Sequence, residues 1–209
     1  MILGLLLLAG AAALLTYNQR ESRIAGQSAR SLLSELENGT KTEALGYDSP
    51  EELSSPEETL PMELIKAEMP TAEINGRTYL GEIIIPDLEL SLPVLSGWSY
   101  ENLKVAPCRY YGDLNQDNLV LLAHSYATHF GRISQLEQDA VLYFKDVLGC
   151  VTAFRVASLE VLRPNQVEEM TAGEYPLTLF TCTFDSQSRV TLRCRYETAE
   201  DIIEEGSHG

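Results

Sequence analysis

The stretch Thr178-Leu179-Phe180-Thr181-Cys182 is a short apolar run that ends on a cysteine. A second run rich in β-forming residues, Arg189 to Tyr196, comes after a polar turn. This spacing predicts two neighbouring strands. A side chain at a strand end is held rigidly and still faces a cleft, as a nucleophile requires. Burial as a small apolar residue is the more common role of a free cysteine and is the alternative for Cys182.

A histidine ends a similar run upstream, Asn118-Leu119-Val120-Leu121-Leu122-Ala123-His124. Imidazole gives and takes a proton near neutral pH, so His124 suits the acid and base roles beside a cysteine nucleophile. Arg189 stays charged and presents several N–H donors, which suits a developing oxyanion. Cys182, His124 and Arg189 are therefore the candidate catalytic set.

Two more arginines, Arg193 and Arg195, lie on the same predicted strand as Arg189. Strand alternation puts all three on one face, so direction does not separate them. Arg189 is nearest the turn that comes after Cys182. On that ground we predict that Arg189 acts with the cysteine.

The composition limits the class of protein. The chain has 209 residues, of which 44% are hydrophobic, enough for the core of one domain. Its formal net charge of −16 argues against nucleic acid or an anionic lipid surface as the main partner. The four cysteines form no CxxC pair and the three histidines are scattered, so we expect no metal and no cofactor. Cys108, Cys150 and Cys194 are interpreted as small core residues.

The first residues, Met1 to Thr16, are apolar and uncharged. A cleaved signal peptide and a membrane anchor are the two interpretations, and the run is shorter than the usual span of about 20 residues. A helical pattern continues directly afterwards at Ala25, Ala29, Leu32 and Leu36, which favours an uncleaved anchor over residues 1–17 whose start lies upstream. Arginines 20 and 23 disagree, because positive charge after the span favours a cytoplasmic location for the rest of the chain.

We predict a helical stalk and acidic linker over residues 18–74, a β-barrel over 75–198 and an acidic, frayed tail over 199–209. The linker holds prolines 50, 56, 61 and 70 among many carboxylates, which is typical of a solvated spacer. A lid over an active site is the sharper alternative. The barrel is expected to begin at the turn signal Asn75-Gly76.

Short strands separated by turns, with only brief helices, predict an all-β barrel or sandwich. The strands are expected over residues 79–85, 88–95, 119–122, 141–144, 151–161, 178–182 and 189–196. Ser99 is expected to cap a short helix. Trp98 is interpreted as core or a cleft wall, and Tyr110 and Tyr111 as core, surface or the lining of a peptide groove.

Together these motifs resemble the sortases, membrane-anchored transpeptidases of Gram-positive bacteria. The run from Thr178 to Cys182 matches the family's TLxTC signature, and the run ending at His124 is similar to its histidine strand. Ser188-Arg189-Val190-Thr191-Leu192 is similar to the segment whose arginine begins the last strand. Ala123 stands where many members have glycine, a small change. The resemblance covers roughly residues 79 to 196.

The resemblance implies an eight-stranded β-barrel, without a cofactor, that cleaves an LPxTG-like sorting signal. Cys182 would form a thioacyl enzyme, and an amine from a cell-wall precursor or a pilin lysine would resolve it. His124 would be general acid and base, and Arg189 with the Thr181 backbone would stabilise the oxyanion. Substrate contacts are expected from Thr181, Asn118 and Leu179. The catalytic domain would lie on the extracellular side of the membrane, held by a single-pass anchor.

The resemblance leaves the class open. The connection from Arg163 to Tyr175 is too short for the long helical insertion of class B, and Tyr47-Asp48-Ser49-Pro50 is only faintly similar to the class C lid motif. An anchored β-barrel that binds without turnover, and a cysteine hydrolase that passes the acyl group to water, are the alternative functions.

Overall fold

A computed structural model describes residues 12, 16, 19, 20, 22–34, 68–183, 185–199 and 201. The strands, in chain order, are β1 (Ala72–Ile74), β2 (Arg77–Ile85), β3 (Leu90–Leu95), β4 (Cys108–Tyr111), β5 (Leu119–Leu122), β6 (Val141–Asp146), β7 (Val151–Leu162), β8 (Leu177–Cys182) and β9 (Arg189–Tyr196). The helices are α1 (residues 22–34), α2 (Tyr100–Leu103) and α3 (Val167–Met170), with 3₁₀ turns at Pro86–Leu88, Leu114–Gln116 and Phe130–Gln135.

The strands form one sheet in the order β1-β2-β3-β4-β5-β8-β9-β7-β6. Because β6 also pairs with β2, strands β2 to β9 close into an eight-stranded barrel, and β1 is an extra strand beside β2. Most pairs are antiparallel, but β5 and β8 run parallel. Parallel pairing brings the ends of β5 and β8 to the same rim of the barrel, and this decides where the site lies.

Closure of the barrel depends on one glycine of β2. The register between β2 and β3 shifts between Tyr79 and Gly81, which marks a β-bulge. Gly81 has φ +152°, and a Cβ at this position would collide with the Lys145 carbonyl oxygen of β6. Only glycine lets the two backbones approach this closely, so the bulge joins β2 to β6 in the closed sheet.

The predicted all-β architecture is confirmed, and each expected strand is present, although Leu88 lies in a 3₁₀ turn rather than in β3. Ser99 caps α2, since its hydroxyl accepts a hydrogen bond from the Asn102 amide at 3.0 Å. The sequence pattern does not predict β1 and β4, because three or four residues are too few to show a period of two. The sheet therefore begins before the predicted boundary at Asn75, with β1 and the buried Met69 in front of it.

The prediction for the cysteines holds for two of the three. Cys108 and Cys194 are fully buried, and burial raises the pKa of both thiols, that of Cys108 to about 12. Cys150 is exposed, which corrects its interpretation as a core residue. It lies between Gly149 and β7, in a tight turn where a side chain has no core to enter.

Helix α1 lies within the segment predicted as a stalk, and its residues Ala25, Ala29 and Leu32 are buried as the helical pattern requires. Most of the predicted anchor and residues 35–67, including the acidic segment interpreted as a spacer or a lid, lie outside the described residues. Among the helices of the described residues, none has the length and apolar character needed to cross a membrane.

The described end of the chain packs on the barrel. Both Nη atoms of Arg195 donate to the Asp201 carboxylate, at 2.7 and 2.8 Å, and the Thr198 amide donates to it at 2.7 Å. These bonds, led by the one from Arg195, hold the pKa of Asp201 well below its usual range. Asp201, which falls in the segment predicted as a tail, is thus tied to β9.

Candidate active site

Strand β8 delivers Cys182 to the rim of the barrel. Leu177 and Leu179 are fully buried in the main hydrophobic cluster, and the alternate residues Phe180 and Cys182 line a cavity of about 310 Å³. The period of two therefore puts the thiol on the outer face, while the neighbouring leucines hold the strand in place.

His124 lines the same cavity, directly after β5. Two hydrogen bonds fix the ends of β5 and β8 relative to each other. The Ala123 amide donates to the Phe180 carbonyl at 3.2 Å, and the Thr181 hydroxyl donates to the Ala123 carbonyl at 2.8 Å. Because Ala123 and Thr181 directly precede His124 and Cys182, the two candidate catalytic side chains extend from one hydrogen-bonded unit.

Arg189 completes the set from β9, directly opposite Cys182 in the antiparallel register, and also lines the cavity. The Thr183 amide donates to the Ser188 carbonyl at 2.9 Å, so by alternation the next pair inward, Cys182 and Arg189, is not hydrogen-bonded. Such pairs bring their side chains closest, with Cα atoms about 4.5 Å apart. Nη1 of Arg189 donates to the Ser188 carbonyl at 3.0 Å, which orients the guanidinium at the turn.

The other two arginines of β9 have separate partners. Arg193 is opposite Thr178 and is buried, donating to the carbonyls of Glu169 at 2.6 Å and Met170 at 3.1 Å. Arg195 is held by Asp201. The strand face that the three arginines share is therefore divided by distance along the strand, and the arginine nearest the thiol is Arg189.

The three residues expected to bind substrate are not among the described residues that line the cavity. Leu179 is buried in the core, and the Thr181 hydroxyl is used by Ala123. Asn118 precedes β5, at the end opposite His124, where its side-chain oxygen accepts from the Asp113 amide at 2.9 Å. The structure gives these three side chains supporting roles, and a direct contact with substrate stays a prediction.

Aromatic side chains form one wall of the cavity. Trp98, 46% exposed, contacts the ring of Tyr110 with centroids 6.1 Å apart, and Tyr110 contacts Phe180 edge to face at 5.1 Å. Trp98 is thus a cleft wall, the second of its two interpretations, and Tyr110 lines the cavity while Tyr111 does not. Phe180 is not among the predicted site residues, although its position two residues before Cys182 on a strand is sufficient to find it.

The connection between β7 and β8 supplies a further part of the lining. It contributes Pro164, Gln166, Val167 and Met170, the last two from α3. The sequence predicts only a polar connection there. A four-residue helix gives no periodic signal, so its place beside the cavity is a result of the fold alone.

Comparison with known proteins gives the family. A model of the sortase domain matches residues 83–197, more than half of the chain. The chain belongs to the sortase family. The matched segment includes the histidine strand, the TLxTC signature and Arg189, so the resemblance found in the motifs is confirmed.

Solved structures of sortases have the same fold. The sortase C1 of Streptococcus agalactiae is 23% identical with a TM-score of 0.50, over 56% of this chain and 66% of that one. The sortase C-1 of Actinomyces oris is also 23% identical with a TM-score of 0.50, over 56% and 73% of the two chains. A lid mutant of sortase A from Corynebacterium diphtheriae is 20% identical with a TM-score of 0.51, over 61% and 75%.

These similarities concern the sortase fold only, and they include enzymes named as two different classes. The match spans just under two thirds of the streptococcal sortase C1. A comparison with curated protein sequences gave no match.

Proposed function

We propose that this sortase is a cysteine transpeptidase that cleaves an LPxTG-like sorting signal and transfers the acyl group to an amine. The observation that carries the proposal is that Cys182, His124 and Arg189 line one cavity, with Cys182 and Arg189 directly opposite each other on paired strands. A nucleophile, a proton carrier and a fixed cation around one apolar cavity are the parts that acyl transfer requires.

In the first half-reaction, the Cys182 sulfur forms a bond to the scissile carbonyl carbon after its proton passes to His124. Arg189 donates to the carbonyl oxygen as negative charge develops on it. His124 then gives its proton to the leaving nitrogen, and the amide C–N bond breaks. The product is a thioester on Cys182 and a free amine on the released peptide.

In the second half-reaction, an amine attacks the thioester. His124 takes the proton from the attacking nitrogen, the new C–N bond forms and the C–S bond breaks, so the thiol is regenerated. The cavity walls cover part of the site and reduce the access of water, which favours the amine over hydrolysis.

The aromatic wall supports an extended peptide with apolar residues before the scissile bond. Trp98 and Tyr110 present flat apolar faces to the cavity that Cys182 lines, and Val167 and Met170 add aliphatic surface to it. Leucine and proline of the sorting signal fit such a surface. A group B streptococcal structure with a TM-score of 0.50 is described as a pilus-related sortase C, so a pilin is one candidate substrate and a pilin lysine or a cell-wall precursor a candidate amine.

The proposed place of action is the extracellular face of a Gram-positive membrane. The apolar residues before α1 support a single-pass anchor, and the stalk helix would hold the barrel close to the membrane. In enzyme classification the proposal corresponds to a thiol protease or hydrolase acting as a transferase.

The test is capture of the thioacyl enzyme with the full chain in detergent micelles. An LPxTG peptide library should add the acyl mass to Cys182, and hydroxylamine should release a peptide hydroxamate, with both products lost in Cys182→Ala. Peptide binding without either product would make the protein a binding module. Release of acid at a rate unaffected by added amine would make it a hydrolase.

A further inference from the structure

The stalk helix α1 lies against the loop that comes after His124. Its buried stripe of Ala25, Ala29 and Leu32 faces the barrel, and Ala29 belongs to the main hydrophobic cluster. These positions are spaced by four and three residues, as a packed helix face requires. α1 is therefore a packed part of the catalytic domain and not only a spacer.

Gly26 and Thr128 form a close contact between α1 and this loop. A Cβ on Gly26 would lie 2.9 Å from Cγ2 of Thr128 and 3.1 Å from its Cβ, closer than carbon atoms normally approach. The Thr128 hydroxyl donates to the Ser22 carbonyl at 2.8 Å, one turn earlier on α1. Glycine in the middle of a helix costs about 1 kcal/mol relative to alanine, and here it allows the helix and the loop to touch.

The loop connects Thr128 to His124 through short contacts. The His129 amide donates to the Tyr126 carbonyl at 2.9 Å, and the Phe130 amide donates to the His124 carbonyl at 3.2 Å. The Tyr126 ring contacts both histidines, with centroids 4.8 Å from His124 and 5.7 Å from His129. A shift of Thr128 is thus transmitted to the His124 backbone and ring.

His129 fills the space between the loop and α1. It is fully buried, and neither ring nitrogen makes a hydrogen bond of normal geometry within the described residues. Burial, with a smaller effect from the charge of His124, lowers the pKa of His129 to about 4, and the Ala25 backbone of α1 opposes this shift. A neutral ring packed against α1 acts as an apolar spacer behind the loop.

We propose that α1 positions the catalytic histidine: Gly26 and Thr128 are positioning residues that hold residues 125–129, and so His124, in the arrangement that proton transfer requires. This inference rests on the proposed function, because His124 must be the proton carrier for its position to matter. Misplacement of a reacting group by about 1 Å can lower a rate about 100-fold, so a contact of this closeness is sufficient to control the rate.

The experiment introduces a side chain at Gly26 in the full chain. Gly26→Ala should lower kcat by about tenfold and Gly26→Leu by more, with KM unchanged and the unfolding midpoint of Gly26→Ala unchanged or higher, since alanine favours the helix. Gln27→Ala and Gln27→Leu, on the exposed face one residue later, are the matched controls and should keep the wild-type kcat.

Rescue separates positioning from general damage. Thr128→Ser removes the Cγ2 methyl group and keeps the hydroxyl, so it should restore most of kcat to Gly26→Ala and have little effect alone. Wild-type kcat in both Gly26 variants, equal loss in the Gln27 controls, or no recovery in the double variant would overturn the inference.

A second readout does not require activity. The His124 ring resonances in an NMR spectrum, assigned with His124→Gln, should shift in Gly26→Ala and return in the double variant with Thr128→Ser. If the peptide assay fails while these shifts occur, the proposed function is wrong and the docking contact stands. Unshifted resonances in an active enzyme overturn the inference alone.

Discussion

The cavity and the packed parts of this barrel contain the same three kinds of side chain in very different settings. The cavity set is Cys182, His124 and Arg189. The buried set is Cys194, His129 and Arg193. The two cysteines lie on paired strands, and the two histidines are five residues apart, so neither residue type nor neighbourhood in sequence separates the sets.

The difference lies in position on a strand and in what covers it. Cys182 ends β8 on the outer face, and Cys194 is on β9 opposite Leu177, inside the barrel. Burial raises the pKa of the Cys194 thiol, so the thiolate form that attacks carbonyls is disfavoured there. The fold thus prevents the chemistry of a reactive residue type where the cavity does not need it.

The largest expected difference is between the two cysteines. Cys182→Ala should lower the rate of peptide cleavage by about 10³-fold or more, because no other group replaces the nucleophile. Cys194→Ala should keep kcat within about twofold and lower the free energy of unfolding by about 1–2 kcal/mol through the lost packing. Steady-state kinetics and urea unfolding measure the two effects. A comparable loss of rate in Cys194→Ala would end the distinction between the sets.

The two arginines should differ next. Arg189→Met should lower kcat by about 10²–10³-fold with an unchanged unfolding midpoint, since it removes the donor to the oxyanion from a partly exposed site. Arg193→Met should leave the Glu169 and Met170 carbonyls without their donor and lower the free energy of unfolding by about 2–3 kcal/mol.

Kinetics and denaturant unfolding of the two arginine variants form one comparison. If Arg193→Met loses turnover at full stability while Arg189→Met remains active, the roles of the two arginines are reversed.

The smallest expected effect distinguishes the two histidines by pH. The pKa of His129 is about 4 in the folded protein against the ordinary 6.5, so the unfolded chain binds more protons between these values. Stability should therefore fall as pH drops from 6.5 to 4, by a total of about 3 kcal/mol, and the loss from this group should level off below pH 4.

His129→Met is close in size and does not titrate, so it should reduce that slope in urea unfolding between pH 4 and 7. His124→Gln, the control, should keep most of it. Equal slopes in the wild type and His129→Met would show that His129 is not held neutral by its burial.

Much of the fold can be predicted because barrel strands repeat a simple pattern. Strands β2, β3, β5 and β8 combine β-forming residues with clear ends, and a strand of four or more residues shows which face is buried. The pattern does not reveal β1, β4 and α3, which are too short. Nor does it show closure, because the pairing of β2 with β6 joins residues about 60 positions apart beside Gly81.

The sequence by itself determined the reactive residues and their order: a cysteine and a histidine each ending an apolar run, and an arginine starting the next. Local spacing carries this information because alternation along a strand fixes the direction of each side chain. Only the tertiary structure decided which copy of each residue type is used. The parallel pairing of β5 with β8 brings His124 and Cys182 to one rim, the register of β9 puts Arg189 opposite the thiol, and packing encloses His129, Arg193 and Cys194. These are long-range contacts, and no local pattern encodes them.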